Sequence, residues 1–503
     1  MVELTQKYLI RQGLWIYLFT FLAAPLGYLI RILYARTLSV EEFGLIYSII
    51  GFIALISIFN DLGFSETLNY YATRFYEKKQ YGKVKGSFIF ALMMQAGTGI
   101  LLGILFWVLA PWLAENYFKS EVAINVLRAF IMYFFFFNLS NPLIQFYVAT
   151  HNYLFLPLSE FIRSILIFTI SFLIIFYYNN IILIALVWGI SYFILFFVYI
   201  ILLNKYYPKI INSKSDLSFI LYKKLLKYSL IIVGGIGAIV ILSKIDIIII
   251  TYFLDLKEVA YYSVAYSLAS ILFISLSPIL NIFFPLTSKL TVKNNHKQIS
   301  IIFNKMYKWG TFIALPCLII FLSFPKEILI LLYGYEYAIA HKSLILLTIS
   351  SFFVLLNYFN SKIMAGLGLV KQRTIILYIG SIINLILNLS LVKNYGIVGV
   401  SFATMFSFAI IWLLSLLVLL KKCIKVKMNF KKVINLILIN IMFYFVVYFL
   451  KYIINTNIYI KGIIVALISG LVYLLLGHLF YDNFLRSIKR IIKIKDLKHK
   501  KNI

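Results

Sequence analysis

Hydrophobic positions along this chain form long uninterrupted runs that are separated by short polar segments. A run of 18 or more apolar residues is long enough to cross a hydrocarbon core of about 30 Å. Because lipid cannot satisfy free backbone N–H and C=O groups, such runs must be helices. The pattern predicts an all-α polytopic membrane protein of twelve to fourteen transmembrane helices. The spans are placed at residues 12–35, 42–64, 86–110, 123–147, 154–178, 181–204, 226–250, 259–286, 308–332, 342–363, 372–392, 397–420, 432–451 and 460–481.

Lysines and arginines are concentrated in alternate polar segments. Most of the 47 basic residues lie in the N-terminal segment, in every second loop and in the tail after residue 485. The positive-inside rule assigns such segments to the cytoplasm. Both termini are therefore predicted to be cytoplasmic, in a multi-pass protein of the cell membrane with an even number of spans.

The composition agrees with a membrane protein, since 63% of residues are hydrophobic and 13% are charged, far from the usual soluble range. A net charge of +30 would suggest nucleic acid as the partner of a soluble protein. Here the loop bias accounts for most of that charge, and no nucleic-acid partner is expected. Membrane lipids are the expected partners instead, with the basic tail lying on anionic head groups.

Candidate chemistry for an enzyme is sparse. Two cysteines, Cys317 and Cys423, offer neither a disulfide framework nor a metal-ligand spacing. The five histidines lie in loops or near span ends, no acidic pair recurs within a span, and no ATP-binding loop is present. We expect no cofactor, no metal and no enzymatic activity. A membrane-embedded polysaccharide-processing enzyme is the weaker alternative, and any transport must use an ion gradient, the membrane potential or consumption of the product.

An internal repeat organises the predicted spans. At an offset of 216 residues, the loop at residues 38–44 falls on the loop at residues 254–260, and Ala149 falls on Ala365. Six spans in each half, both entering from the cytoplasm, predict a parallel repeat with a substrate site between two lobes. The predicted domains are an N-terminal lobe (1–204), a basic cytoplasmic linker (205–225), a C-terminal lobe (226–420), and an additional helix pair with the basic tail (421–503).

The same loops carry a family resemblance. Residues 35–44 (ARTLSVEEFG) and 60–64 (NDLGF) resemble the opening of polysaccharide-biosynthesis flippases, and residues 243–246 (SKID) and 260–265 (AYYSVA) resemble the start of their second half. These are the Wzx-type O-antigen exporters of the multidrug/oligosaccharidyl-lipid/polysaccharide superfamily, and the resemblance covers roughly residues 1–420.

The resemblance implies that the chain moves a polyprenyl-(pyro)phosphate-linked oligosaccharide to the outer leaflet for the assembly of cell-surface glycans. It also implies glycosyltransferases and a polymerase of the same pathway as partners. A multidrug or small-molecule antiporter of this superfamily is the alternative. Drug exporters commonly bind cations through acidic intramembrane groups, whereas the deep charges here are mainly basic, which suits a phosphate-bearing substrate.

Two basic residues inside predicted spans are the main candidates for substrate binding, because a charge in a membrane usually faces a bundle interior, a partner or water. Arg31 shares a helix face with the small residues Thr20, Ala24 and Gly27. That stripe either lines a cavity or makes a close helix contact, with Arg31 extending to the outer interface.

Lys244 shares its face with Gly234, Gly237 and Val240, while Asp246 points the other way. It either pairs with a neighbouring helix or meets a phosphate in a cavity. The resemblance, which implies a cationic cavity, favours the phosphate.

Further candidates for substrate binding are Arg163, Arg128, Asn138, Asn141 and Gln145. An ion pair with Glu160 is favoured for Arg163, and anchoring at the outer interface is favoured for Arg128. The three amides, around Pro142, either bind sugar hydroxyls or hold helices together.

Two acidic residues are the candidates for gating or coupling. Asp61 caps the end of the second span, where Gly63 is predicted to break the helix, and Asp246 lies in the seventh span.

Overall fold

The computed structural model describes residues 2–274, 283–292, 295–422, 430–453, 468–473 and 475, and all of its long elements are helices. Nine helices among these residues are long and apolar enough to cross a membrane, which confirms the predicted all-α membrane fold. The helices are α1 (Val2–Thr37), α2 (Val40–Asp61), α3 (Phe64–Glu77), α4 (Tyr81–Leu113), α5 (Val122–Ala149), α6 (Phe155–Tyr177), α7 (Ile181–Tyr206), α8 (Pro208–Ile211), α9 (Phe219–Phe253), α10 (Leu256–Ile274), α11 (Phe283–Val292), α12 (His296–Ser323), α13 (Pro325–Tyr333), α14 (His341–Gly366), α15 (Val370–Lys422) and α16 (Phe430–Ile453).

Helix α2 has well-defined chemistry at both ends. The Ser39 hydroxyl accepts a hydrogen bond from the Glu42 backbone N–H, and the Glu42 carboxylate accepts one from the Ser39 N–H, forming a capping box. The helix ends at Asp61 because Leu62 and Gly63 adopt left-handed conformations, with φ of 43° and 77°. Gly63 tolerates this φ because it lacks a Cβ atom, and the predicted break at Gly63 is confirmed.

Helix α3 was not predicted, because its 14 residues are too few and too polar to read as a span. It starts immediately after the break and occupies a segment that the hydrophobic pattern assigns to a loop.

The ninth span was predicted with the wrong boundaries. The apolar run at 308–332 is divided, because α12 ends at Ser323 and Pro325 begins the separate helix α13. Proline has no N–H to continue the preceding helix but fits the first turn of a new one. The predicted eleventh and twelfth spans lie in α15, where Gly396 (φ 56°) separates them. Most of the fourteenth span and the whole basic tail lie outside the described residues.

The chain divides into two compact units, each made of two segments. Unit one contains Met1–Val264 and Leu377–Ala403, and unit two contains Ala265–Ile376 and Thr404–Ile503. These segments differ from the predicted lobes, whose boundaries remain a prediction.

The core of unit one is an aromatic cluster of α3, α4, α5, α7 and α9. Tyr147 is its centre: its ring stacks on Phe155 at 3.9 Å, and its hydroxyl donates to the carbonyl of Tyr199 at 2.7 Å. In contrast, Phe176 and Tyr177 at the end of α6 are largely exposed, as expected for a surface that faces lipid. Packing and internal hydrogen bonds, rather than exclusion of water, therefore hold these helices together in a bilayer.

Within unit one the first turns of α2 and α10 contact each other. A Cβ atom on Gly44 would lie 1.8 Å from the carbonyl oxygen of Leu256, so only glycine permits this approach. Glu41 and Lys257 form an ion pair at 3.2 Å between the same two helix turns. All four residues, Gly44, Leu256, Glu41 and Lys257, belong to the stretches aligned by the 216-residue offset.

In unit two, helix α16 packs against α12 and α13. Phe312, Phe443 and Tyr473 form the centre of this contact, where the Tyr473 hydroxyl donates to the carbonyl of Phe312 at 2.7 Å. At the helix end, Lys451 pairs with Glu327 at 2.8 Å. Helix α16 and Tyr473 are therefore held against α12 and α13 by both apolar and polar contacts.

Candidate functional site in the membrane

Arg31 lies half-buried near the end of α1, between α2 and α10. Its guanidinium Nη1 donates to the carbonyl of Ser263 at 3.3 Å, and its plane lies 4.4 Å from the centre of the Tyr47 ring. Among the described residues no carboxylate pairs with it. The side chain is therefore held in place by a carbonyl dipole and an aromatic face, and its full positive charge remains uncompensated.

Lys244, on α9, is the second uncompensated cation. It forms neither a hydrogen bond nor an ion pair with any residue that the structure describes, so the predicted alternative of a helix–helix ion pair is not observed there. It lies close enough to Arg31 for the two positive charges to repel each other. The structure thus brings together the two basic residues that the sequence singled out.

Asp246 does not neutralise Lys244, although only one residue separates them. It is almost completely buried, and it accepts hydrogen bonds from the Tyr262 hydroxyl at 2.5 Å and from the Asn388 amide at 2.7 Å. Residues two apart on a helix point in nearly opposite directions. The carboxylate is therefore directed into a separate polar cluster of α9, α10 and α15.

The small-residue stripes beside the two cations are open. A Cβ atom on Gly27 or on Gly237 would meet no atom within 4 Å. A close helix contact of the small-xxx-small type brings backbones together at such glycines. These two positions instead face open space, on the helix faces that carry Arg31 and Lys244.

The three predicted amides lie on one face of α5, which continues through Pro142. Asn138 is buried and donates to the Ser57 hydroxyl at 3.1 Å, so it connects α5 to α2. Asn141 and Gln145 are only partly buried and make no hydrogen bond to any described residue. Their amide groups are therefore available to a ligand, whereas Asn138 already holds two helices together.

Arg163 and Arg128 have other partners. Arg163 pairs with Glu160 on its own helix and lies 5.5 Å from the Tyr192 ring. Arg128 lies 4.6 Å from the ring of Trp107, whose side chain is more than half exposed on the outer face of α4. The contacts favour a structural pair for the first and an interfacial anchor for the second, as the sequence analysis also favoured.

Asp61 lies in a polar network that the sequence analysis did not identify. Its carboxylate accepts hydrogen bonds from the backbone N–H and hydroxyl of Ser65 at the start of α3, and from the Gln95 amide on α4. The Asn60 amide donates to the backbone carbonyl of Gln95 at 3.1 Å and to the Thr98 hydroxyl at 3.0 Å. In the sequence, the signal that could have identified Gln95 was its position as a glutamine in the middle of an apolar run.

Comparisons with known proteins agree on one fold. The family model for polysaccharide biosynthesis proteins matches residues 9–291, more than half of the chain, and the MatE family model matches residues 236–390. The chain is 29% identical over 502 residues to an uncharacterized membrane protein of Methanocaldococcus jannaschii, covering 96% of each chain. It is also 29% identical over 187 residues to a probable low-salt glycan biosynthesis flippase of Haloferax volcanii, covering 37% of this chain and 38% of the relative.

Two solved structures show how far the fold extends. The lipid II flippase MurJ in an inward closed conformation superposes with a TM-score of 0.76 at 20% identity, covering 93% of this chain and 98% of MurJ. An inward-facing multidrug resistance MATE transporter gives a TM-score of 0.63 at 13% identity, covering 79% of this chain and 92% of the transporter. At these identities the likeness establishes the fold alone.

Proposed function

Because the chain belongs to the family of polysaccharide biosynthesis proteins, we propose that it is a flippase of the cell membrane. Its substrate is an oligosaccharide linked to a polyprenyl phosphate or pyrophosphate, which it moves from the cytoplasmic to the outer leaflet. It acts as a transporter without catalytic chemistry, between the glycosyltransferases that build the glycan and a polymerase that consumes it.

The observation that carries this proposal is the uncompensated cationic pair of Arg31 and Lys244. Two positive charges that repel each other inside a membrane protein are costly unless an anion joins them. A phosphate or pyrophosphate supplies two or more negative charges and several acceptor oxygens at one point. The pair therefore supports an anionic substrate whose charge is concentrated in its linkage to the lipid.

The neutral amides and the open stripes suit the rest of such a substrate. Asn141 and Gln145 offer donors and acceptors to sugar hydroxyls without adding charge. Gly27 and Gly237 face open space on the helix faces that carry the cations. The prenyl tail stays in lipid while the glycan crosses in a wet cavity.

Contacts between equivalent helix turns support the two-lobed arrangement that alternating access requires. Glu41 and Lys257, which pair at 3.2 Å, are 216 residues apart. Positions related by an internal repeat can touch only beside the axis that relates the two copies. The boundaries of helices recur at the same offset, since α1 and α9 end at Thr37 and Phe253.

Transport in proteoliposomes tests the function directly. We expect the purified protein to move a fluorescent polyprenyl-pyrophosphate oligosaccharide between leaflets, so that an enzyme added outside gains access to glycan loaded inside. Empty liposomes and the Lys244→Ala protein serve as controls. Glycan that stays inaccessible in wild-type proteoliposomes would contradict the proposal.

Drug export is the alternative, supported by the MatE match at residues 236–390. Such exporters use intramembrane carboxylates for cationic drugs, but here Asp246 already accepts hydrogen bonds from Tyr262 and Asn388, and Arg31 and Lys244 would repel a cationic drug. Efflux of cationic dyes by cells that express the protein, without any effect on surface glycan, would favour the antiporter.

The proposed orientation gives a separate prediction. Reporter fusions after residues 80, 215, 295 and 425 should be cytoplasmic, and fusions near residues 117, 256 and 337 should be external, because the basic loops remain inside. Paired cytoplasmic and periplasmic or extracellular reporters measure this. An inversion within the first six spans would exclude a parallel repeat, since both halves must enter from the same side.

A further inference from the structure

The break between α2 and α3 places a carboxylate where no cation meets it. Asp61 is the last residue of α2, and no lysine or arginine among the described residues forms an ion pair with it. Its hydrogen bonds come from Ser65 and Gln95, which are neutral donors. The site therefore carries a net negative charge in the membrane, and this charge is stabilised only by dipoles.

Two buried amide oxygens next to this carboxylate have no donor. Asn60 and Gln95 are 0% and 1% exposed, and their side-chain oxygens accept no hydrogen bond. The amide nitrogens of the same side chains do have partners. Gln95 Nε2 donates to Asp61 and to the Ser65 hydroxyl, and Asn60 Nδ2 donates to the backbone carbonyl of Gln95 and to the Thr98 hydroxyl. Asn60 precedes Asp61 in the chain and Gln95 donates to the Asp61 carboxylate, so both unsatisfied oxygens are on residues that adjoin Asp61.

A buried acceptor without a donor is costly, and native structures rarely leave one unsatisfied. Here two such oxygens and a carboxylate belong to neighbouring residues of α2 and α4, and no described residue donates a hydrogen bond to either amide oxygen. A set of oxygen ligands that includes one carboxylate is the chemistry that binds a hard monovalent cation. The Glu66 carboxylate, which lies near enough to repel Asp61, is exposed on α3. A divalent ion would leave an excess positive charge in the membrane, and no group of three or more His, Cys, Asp or Glu side chains in the described residues could hold one.

We propose that Asp61, Asn60 and Gln95 form a binding site for Na⁺ at the α2–α3 break. The cation neutralises the carboxylate and satisfies both amide oxygens. Asp61 is only partly buried, which gives the ion access to the site.

The location of the site connects the bound ion to the contact between α3 and α9. Helix α3 starts directly at the break and packs on α9: a Cβ atom on Gly63 would lie 2.7 Å from the Ser229 carbonyl, and Tyr70 stacks on Tyr228 at 4.6 Å. An ion held between α2, α4 and the first turn of α3 therefore fixes the angle at which α3 meets α9.

Cation binding can be measured on the purified full-length protein without knowing what it exports. We expect the thermal midpoint to rise with NaCl and to saturate, while choline chloride at the same ionic strength has no effect. In Asp61→Asn the Na⁺ concentration needed should increase at least about a hundredfold, because the one carboxylate among the proposed ligands is removed. Direct binding of ²²Na⁺ should be lost in parallel.

Glu115→Gln is the matched control, since Glu115 is an exposed carboxylate beyond the end of α4 and outside the proposed site. Its Na⁺ response should remain that of the wild type. If Asp61→Asn does not fold, Gln95→Met, which removes one oxygen at nearly constant volume, decides through its ²²Na⁺ affinity. The proposal is overturned if the wild type does not respond to Na⁺, if the response is retained in Asp61→Asn, or if the ²²Na⁺ affinity is unchanged in Gln95→Met. It is also overturned if the response is lost in Glu115→Gln.

Discussion

Replacing Lys244 with alanine should abolish export of the lipid-linked glycan. The side chain is one of two uncompensated cations, and its contact with a phosphate in a cavity of low polarity is worth several kcal/mol, far more than a contact at the surface. Because about 1.4 kcal/mol corresponds to a factor of ten, export should fall at least about a hundredfold. Lys244→Arg keeps the charge and should retain part of the activity. Surface glycan in complemented deletion cells is the measurement.

Three controls separate a binding role from a structural one. Both variants should reach the membrane in normal amounts and elute as the wild type does in size-exclusion chromatography. Lys393→Ala removes an exposed lysine near the ring of Phe253, and should export normally. If Lys244→Ala exports at the wild-type level, or is lost only because it fails to fold, the cationic-site hypothesis fails at its main residue.

A methyl group at Gly44 should destabilise the protein strongly. The new Cβ atom would lie 1.8 Å from the Leu256 carbonyl oxygen, so the first turns of α2 and α10 would have to separate. Overpacking of a tight contact costs about 1–3 kcal/mol, and each kcal/mol lowers the thermal midpoint of a domain of about 150–250 residues by about 2–4 °C. The midpoint in detergent and the export activity should both decrease in Gly44→Ala.

Gly97→Ala provides the comparison, since a Cβ atom at Gly97 on α4 would meet nothing within 4 Å. Alanine also favours helix over glycine by up to about 1 kcal/mol. Gly97→Ala should therefore be as stable as the wild type or slightly more stable. Equal thermal midpoints for Gly44→Ala and Gly97→Ala would show that Gly44 and Leu256 do not approach each other closely in the native protein.

Much of the fold could be predicted because the bilayer reduces the problem to the length of apolar runs. The six spans from α1 to α7 and the break at Gly63 follow from run length and glycine chemistry. The errors arise where local chemistry overrides run length. Pro325 divides an apolar run that looked continuous, and α3 is a short polar helix that no hydropathy rule can find.

The charged residues of the candidate site could be predicted from the sequence, whereas its neutral residues could not. Arg31 and Lys244 stood out because a charge in a span is costly, and Arg163 was assigned its pair because Glu160 lies one turn away. Gln95 and Asn60 were missed because a single neutral amide in a span is common. The role of such an amide depends on which residue of a neighbouring helix it contacts, and that partner is distant in sequence. Asn60 and Gln95, for example, are 35 residues apart.

The ion pair between Glu41 and Lys257 bears on how a protein of this kind can arise from a smaller one. Two identical half-length chains, associated about a twofold axis, would bring two copies of the same residue together at this point, and like charges would repel. Once both halves are joined in one polypeptide, each position can change independently, and opposite charges become possible. On the proposed repeat, the pair is a mark of divergence after duplication. Exchanging the two residues, as Glu41→Lys with Lys257→Glu, should preserve the contact that either change alone disrupts.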